Sequence, residues 1–118
     1  MNFKKLKNIF NNKRIFITGN SGFIGSYISL TLSLMNSKIL CYSLKKNNSN
    51  YLSNFRSYQN RIKTINDDIK NINRYKKIIK KFRPEIIIHL ASQPIVKTSY
   101  KEPINTFNTN VLGTVKLL

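Results

Sequence analysis

The sequence predicts an α/β fold, the N-terminal part of a doubly wound parallel sheet in which about four strands alternate with helices. Three observations carry that expectation. Strand-like apolar runs take turns with runs of helical period along the chain. The run Glu85–Leu90 holds Ile86, Ile87 and Ile88, apolar on both faces as a strand buried in a parallel sheet is. A turn carrying Gly19, Gly22 and Gly25 joins the first strand-like run directly to the first long helix-like run.

Taken in order, residues 3–12 are polar and basic, with room for a short helix. The first strand is Arg14–Thr18. A helix is expected from Phe23 to Met35, with Phe23, Tyr27, Leu30 and Leu34 on one stripe. Lys38–Ser43 reads as the second strand, and Lys45–Asn60, rich in Asn, Ser and Lys, as a loop. Arg61–Ile65 is the third strand. Ile72, Tyr75, Ile78, Ile79 and Phe82 then recur at helical spacing, with Lys70, Arg74, Lys77 and Lys81 on the opposite, solvated face. Asn71 is a natural N-cap for this helix, and Pro84 ends it. After the fourth strand, Glu85–Leu90, a last helical segment begins near Pro103. Residues 1–12 are thus expected as a basic N-terminal extension and 13–118 as a partial dinucleotide-binding domain of Rossmann-like topology, truncated, with its substrate half absent.

The glycine turn carries the first functional inference. Gly19 closes the turn out of the strand, Gly22 lets the backbone approach a pyrophosphate, and Gly25 lets the helix pack closely on the sheet. The helix start offers unpaired N–H groups and a positive dipole end to an anion. Thr18, Asn20 and Ser21 sit among the glycines, where hydroxyls add hydrogen bonds, and Phe23 and Ile24 open the helix. The residues Thr18 to Gly25 are therefore candidates for binding a dinucleotide, with NAD as the cofactor. The bland alternative is a glycine-rich turn with no ligand.

Two further segments belong to the carboxyl ends of the strands, where such sheets bind ligands. Asp68 and Ile69 follow the third strand; the carboxylate would accept from an adenine amino group while Ile69 packs on the ring, or Asp68 is simply a turn residue. Leu90, Ala91, Ser92 and Gln93 follow the fourth strand, beside the cofactor's middle. His89 reads as a packed strand-end residue and is assigned no acid–base role. One expected feature is missing: no acid stands at Tyr42-Ser43-Leu44-Lys45-Lys46, where an NAD site places Asp or Glu to hold the ribose. Lys45 suits a 2′-phosphate better, so NADP is the alternative cofactor.

Composition excludes several classes. No run of about 18 apolar residues occurs, which argues against a membrane span. The basic start, Met1 to Lys7, lacks a following apolar region and does not read as a secretory signal. Cys41 is the only cysteine and His89 the only histidine, which disfavours a disulfide or a zinc site and suits a cytoplasmic location. The net charge of +17 invites a nucleic-acid reading. Yet Lys outnumbers Arg 16 to 5, and Asn and Ile stand at 17 each, which A/T-rich codons alone produce. The basic residues are also spread along the chain. Nucleic acid is therefore not the expected partner.

From Arg14 to Leu118 the chain resembles the extended short-chain dehydrogenase/reductases, the NAD-dependent epimerase/dehydratase group. The resemblance rests on Thr18-Gly19-x-x-Gly22-x-x-Gly25, Asp68-Ile69, His89-Leu90-Ala91 and Asn110-Val111-Leu112-Gly113-Thr114. More narrowly, residues 82–94 and the following Ile95 to Pro103, with a Gln-Pro pair and Ser-Tyr-x-x-Pro spacing, are similar to the CDP-glucose 4,6-dehydratase family. Lys45 stands where that family usually has an aspartate.

The resemblance implies a lyase that converts CDP-glucose to CDP-4-keto-6-deoxyglucose, oxidising C4 with NAD, losing water across C5–C6 and returning the hydride to C6. It implies longer homodimeric enzymes, whose catalytic Ser/Thr and Tyr-x-x-x-Lys come after the region covered here. Tyr42 to Lys46 has that spacing but follows the second strand, so no catalytic residue is assigned in this chain. A CDP-sugar is the expected substrate only where the chain continues. The alternatives are a non-catalytic dinucleotide-binding remnant of a decayed gene and a basic nucleic-acid-binding module.

Overall fold

A computed structural model describes residues 2–44 and 61–118. The expected loop over 45–60, and with it Lys45 and Lys46, lies outside the described residues. Four parallel strands form one sheet: β1 (Arg14–Thr18), β2 (Lys38–Ser43), β3 (Ile62–Asn66) and β4 (Ile86–His89), in the spatial order β3-β2-β1-β4. Phe16 lies opposite Leu40 on one side and Ile87 on the other, and Cys41 lies opposite Thr64. The chain winds one way from β1 to β3 and then crosses back to β4, so the sheet reverses direction beside β1. That is the switch point of a doubly wound sheet.

The period of two along β1 sorts the core into two layers. Ile15 and Ile17 meet Leu32, Met35, Ile39 and Cys41 on one face. Phe16 meets Leu40, Tyr42, Ile69 and Tyr75 on the other. All three β1 side chains are fully buried. Cys41 lies 3.6 Å from the Ser29 hydroxyl, and burial pushes its thiol up to about 12.

Helix α1 (Phe3–Phe10) is capped by the Asn2 side chain, which accepts from the Lys4 N–H at 3.0 Å. Its Leu6 and Phe10 rest against the first core layer, so the basic extension is docked by its apolar side. Helix α2 (Phe23–Leu34) turns the expected stripe around. Phe23, Tyr27 and Leu34 are exposed; only Leu30 of that set is buried. The inner face is instead Gly25, Ser26, Ser29, Leu32 and Ser33. α2 is apolar nearly all round, so hydrophobic period alone does not orient it. Close approach to the sheet does, because only small side chains fit between them. The buried hydroxyls are satisfied within the helix: Ser26, Ser29 and Ser33 donate to the carbonyls of Phe23, Gly25 and Leu30 at 2.7 Å each.

Helix α3 (Ile72–Phe82) presents Ile72, Tyr75, Ile78, Ile79 and Phe82 to the second core layer, and its lysines face solvent. Asn71 occupies the cap position without capping; its side-chain amide donates to Asp67 Oδ2 at 3.2 Å. Arg83 closes the helix with φ 50°, just before Pro84. Glu85 then ties β4 to β1, accepting from Lys13 Nζ at 2.8 Å and the Arg14 N–H at 3.0 Å. These contacts hold its carboxyl below the usual range. β4 is an edge of the described sheet, and Ile87 is 44% exposed rather than buried on both faces. The final segment comprises α4 (Val96–Lys101), α5 (Pro103–Phe107), a π-helical turn at Asn108–Leu112 and α6 (Gly113–Leu117). Among the described residues no helix is long and apolar enough to cross a membrane.

The serine-lined contact of α2 predicts an ordering of variants. Ser29→Leu should destabilise the fold by about 1–3 kcal/mol, because a fully buried site has no room for the added carbons. Tyr27→Ser on the outer face should cost less than about 1 kcal/mol. Chemical denaturation of the two variants checks this, and the reverse order would restore the outer stripe as the buried one.

Candidate functional site

The glycine turn is built by contact with backbone, and each glycine answers to a different neighbour. Gly19 adopts φ +76°, donates its N–H to the Tyr42 carbonyl at 3.0 Å and accepts from Gly22 N–H at 3.1 Å. A Cβ there would lie 2.6 Å from the Leu90 carbonyl carbon and 2.7 Å from Ala91 N. A Cβ on Gly25 would overlap the Gly19 carbonyl oxygen and sit 2.8 Å from the Asn20 Cα. Gly22 differs. Its φ is −81°, and an added Cβ would meet nothing nearer than 3.4 Å. The chain's own packing thus requires glycine at 19 and 25 and leaves 22 unconstrained, on the floor of a groove.

Two adjoining recesses make up that groove at the carboxyl ends of the strands. The first, about 490 Å³, lies among Gly19, Ser21, Gly22, the end of β2, the Asp67–Lys70 turn and residues 90–95. The second, about 580 Å³, lies around Phe23, Ile24, Gly25, His89, Asn110 and Thr114. Gly22, Leu90, Ala91 and Ser92 line both.

Most of the candidates from sequence converge here. Ser21, Gln93, Asp68 and Ile69 line the first recess, and Phe23 and Ile24 line the second. Ile69 also packs under the groove and against Gly113, where an added Cβ would lie 3.2 Å from Ile69 Cγ2. Asp68 forms a local turn, with Oδ1 accepting from Lys70 N at 2.9 Å and Oδ2 3.3 Å from the Lys70 ammonium.

Two candidates lie beneath the groove rather than in it. Asn20 is buried, donating to Thr64 Oγ1 at 3.2 Å and accepting from the Ser43 hydroxyl at 2.7 Å. Thr18 is fully buried, and its hydroxyl oxygen accepts from the Leu90 and Ala91 N–H groups at 3.2 Å each. Both hold the ends of strands in place. Sequence reading missed the opposite wall, with Thr98, Asn105, Thr109 and Asn110. Asn110 grips the Gln93 backbone at both its N–H (2.7 Å) and its carbonyl (3.1 Å). Gln93 in turn accepts from the Ile95 N–H at 2.6 Å. The Asn110 to Thr114 motif was visible, but a long-range clamp leaves no local signal.

His89 joins three elements. Thr18 already accepts two N–H bonds, so its O–H donates to His89 Nδ1 at 2.6 Å. Nε2–H then donates to Thr114 Oγ1 at 3.0 Å, and Thr114 donates to the Asn110 carbonyl at 2.7 Å. Every position in this relay is filled by a neutral imidazole, and burial lowers the histidine's pKa below 6.5. Among the described residues no group of three His, Cys, Asp or Glu side chains is placed to hold a metal ion.

Fold and groove together define a Rossmann-like α/β domain with a groove across its switch point. Residues 16–118 match the family model described as GDP-mannose 4,6 dehydratase. The chain belongs to this family of nucleotide-sugar dehydratases and epimerases and corresponds to an N-terminal segment of its members. It is 38% identical over 112 residues to CDP-glucose 4,6-dehydratase of Salmonella typhimurium, covering 95% of this chain and 31% of that protein. The chain therefore spans about a third of the length of that relative. An epimerase from Methanothermobacter thermautotrophicus shares the fold at TM-score 0.82 and 20% identity, over 97% of this chain and 33% of its own. A UDP-glucose 4-epimerase from Stenotrophomonas maltophila, solved with bound NAD and formylated UDP-arabinopyranose, shares it at TM-score 0.77 and 20% identity, over 89% and 32%.

The glycine geometry sets one expectation for stability. Gly19→Ala and Gly25→Ala should each lower stability by about 2 kcal/mol or more, whereas Gly22→Ala, which changes only an N-cap, should cost about 1 kcal/mol or less. Thermal melts of the three variants decide it. The histidine relay sets another. Its stabilisation is complete above pH 6.5 and erodes as pH falls from there toward the lowered folded-state pKa, because the unfolded chain takes up the proton first. His89→Gln should remove this slope between about pH 6.5 and 5, above the range where carboxylates titrate. An unchanged slope would place its origin elsewhere.

Proposed function

We propose that the groove binds a nicotinamide dinucleotide, NAD, and that the chain is the cofactor-binding segment of a nucleotide-sugar 4,6-dehydratase acting on CDP-glucose. The observation that carries this is Gly22: an added Cβ there would meet no protein atom nearer than 3.4 Å, so the side chain that is missing is one a ligand lying on the turn would meet. The similarity to CDP-glucose 4,6-dehydratase supports the substrate, and the NAD-bound epimerase of like fold supports the cofactor.

In this reading Gly19, Ser21, Gly22 and the start of α2 hold the pyrophosphate, where helix N–H groups and dipole favour an anion. Asp68 and Ile69 take the adenine. Leu90, Ala91, Ser92 and Gln93 hold the middle of the cofactor, their backbone fixed from below by Thr18 and from the side by Asn110. Phe23, Ile24 and Gly25 border the second recess, which takes the nicotinamide. Thr18 and Asn20 act as supports. When bound, the cofactor supplies a reversible hydride acceptor for the sugar. The chain's own residues bind it, orient it and shield it. His89 exchanges no proton with substrate, since both ring nitrogens are engaged.

NADP is the second reading, favoured by Lys45, and by the lack of any acid from Tyr42 to Lys46, where an acidic residue would hold the ribose of NAD. Calorimetric titration with NAD and NADP distinguishes them. Saturable binding of either is expected, and Gly22→Val should weaken it at least about tenfold, while the loss of a glycine N-cap costs the fold only about 1 kcal/mol. Absence of binding to both would end the assignment. The substrate is tested in the protein that carries this chain, by chromatographic detection of a 4-keto-6-deoxy sugar nucleotide from CDP-glucose. Turnover of dTDP-glucose or GDP-mannose instead would replace CDP-glucose.

A further inference from the structure

The first recess is spanned by a polar chain of which the cofactor assignment uses only Asp68. Lys70, at the end of the turn after β3, extends its ammonium to Asn105 Oδ1 on α5 at 2.8 Å. The same ammonium lies 3.3 Å from Asp68 Oδ2, while Asp68 Oδ1 accepts from the Lys70 backbone N–H at 2.9 Å. One carboxylate thus fixes the lysine at both its root and its tip. Asn105 is aligned from behind, its amide donating to Glu102 Oε2 at 3.1 Å. The sequence carboxylate, ammonium, amide, carboxylate joins two elements 35 residues apart. Asp68, Lys70 and Asn105 all line the recess, and Lys70 is the only cation among its described lining residues. The Lys70 side chain is 39% exposed, so the link lies at the solvent rim.

We propose that Lys70 is a strap that fastens the recess over the adenosine end of the dinucleotide, an inference that rests on the cofactor reading above. An ammonium on a four-carbon stem suits this role: it opens by rotamer changes alone, and it re-forms against an amide oxygen held in place by Glu102. A strap at the rim must open for entry and for exit. A residue that only touched the ligand would slow exit and leave entry alone.

That difference is measurable by stopped-flow binding of NAD (or NADP, whichever binds) to the full chain. Lys70→Met keeps the stem and removes the ammonium. It should raise the association and dissociation rates together by about three- to fivefold, the scale of one exposed, charge-assisted link. Asn105→Leu should do the same, Lys70→Arg should restore slow exchange, and the Met/Leu double variant should be no faster than either single one. A raised dissociation rate with unchanged association would make Lys70 a ligand contact and overturn the strap; so would unchanged rates. Independently of any ligand, amide exchange over residues 103–107 should quicken in Lys70→Met. If the unmodified chain binds neither dinucleotide, the cofactor reading fails, and unchanged exchange in this segment then overturns the strap as well.

Discussion

The close approach of three backbone segments governs the rest of this structure. The carbonyl of Gly19 lies against the Cα of Gly25, and the Cα of Gly19 against the peptide joining Leu90 to Ala91. No side chain fits in either contact. From this follows the depth at which α2 sits on the sheet, hence the need for Ser26, Ser29 and Ser33 on its inner face. From it also follows the position of the loop after β4, which lies against the turn and so closes one side of the groove. A larger residue at 19 or 25 would move the helix, the loop and the groove together.

The second organising feature is polar. Thr18 gathers the Leu90 and Ala91 N–H groups and the His89 ring at a fully buried hydroxyl. Buried polar groups are costly when unpaired, and here each donor and acceptor is matched around the ring. Asn110 extends the same network to Gln93. The loop 90–93 is thereby fixed from two directions without any contact from its own side chains to the core beyond Leu90 and Ala91. Among the described residues Tyr75 is the exception: its hydroxyl is buried without a partner there while its ring packs edge-on to Tyr42 at 6.0 Å.

The strands were legible because parallel-sheet burial leaves continuous apolar runs, and β1 and β2 lie where those runs are. β3 and β4 are offset or shortened by a residue at their ends, where pairing rather than composition sets the limit. The glycine turn was legible because three glycines at fixed spacing stand between a strand-like and a helix-like run, although the constraint on Gly19 comes from distant Leu90 and Ala91. The orientation of α2 was not, because its apolar residues surround the helix and the deciding contact comes from Gly19, outside it. The roles of Thr18 and Asn20 were equally hidden. A hydroxyl or amide beside a glycine turn reads as a ligand contact until its partners, His89 and Ser43, are brought in from distant strands. On the far wall of the groove Asn105 is hidden for the same reason, and Asn110 is visible as part of a motif while its clamp on Gln93 is not.

The π-helical turn at Asn108–Leu112 sets the rotational phase of everything after it. A helix advances about 100° per residue, so the wide turn carries one residue more than a regular helix would need to reach the same direction. Gly113 faces Ile69 and Thr114 faces His89 only in that phase. A regular helix of the same length would swing both contacts about a quarter-turn away. Shortening this stretch by one residue would instead let the helix run regular while Gly113 and Thr114 keep their directions. The wide turn is thus the form in which this helix carries a surplus residue without losing its hold on Ile69 and His89.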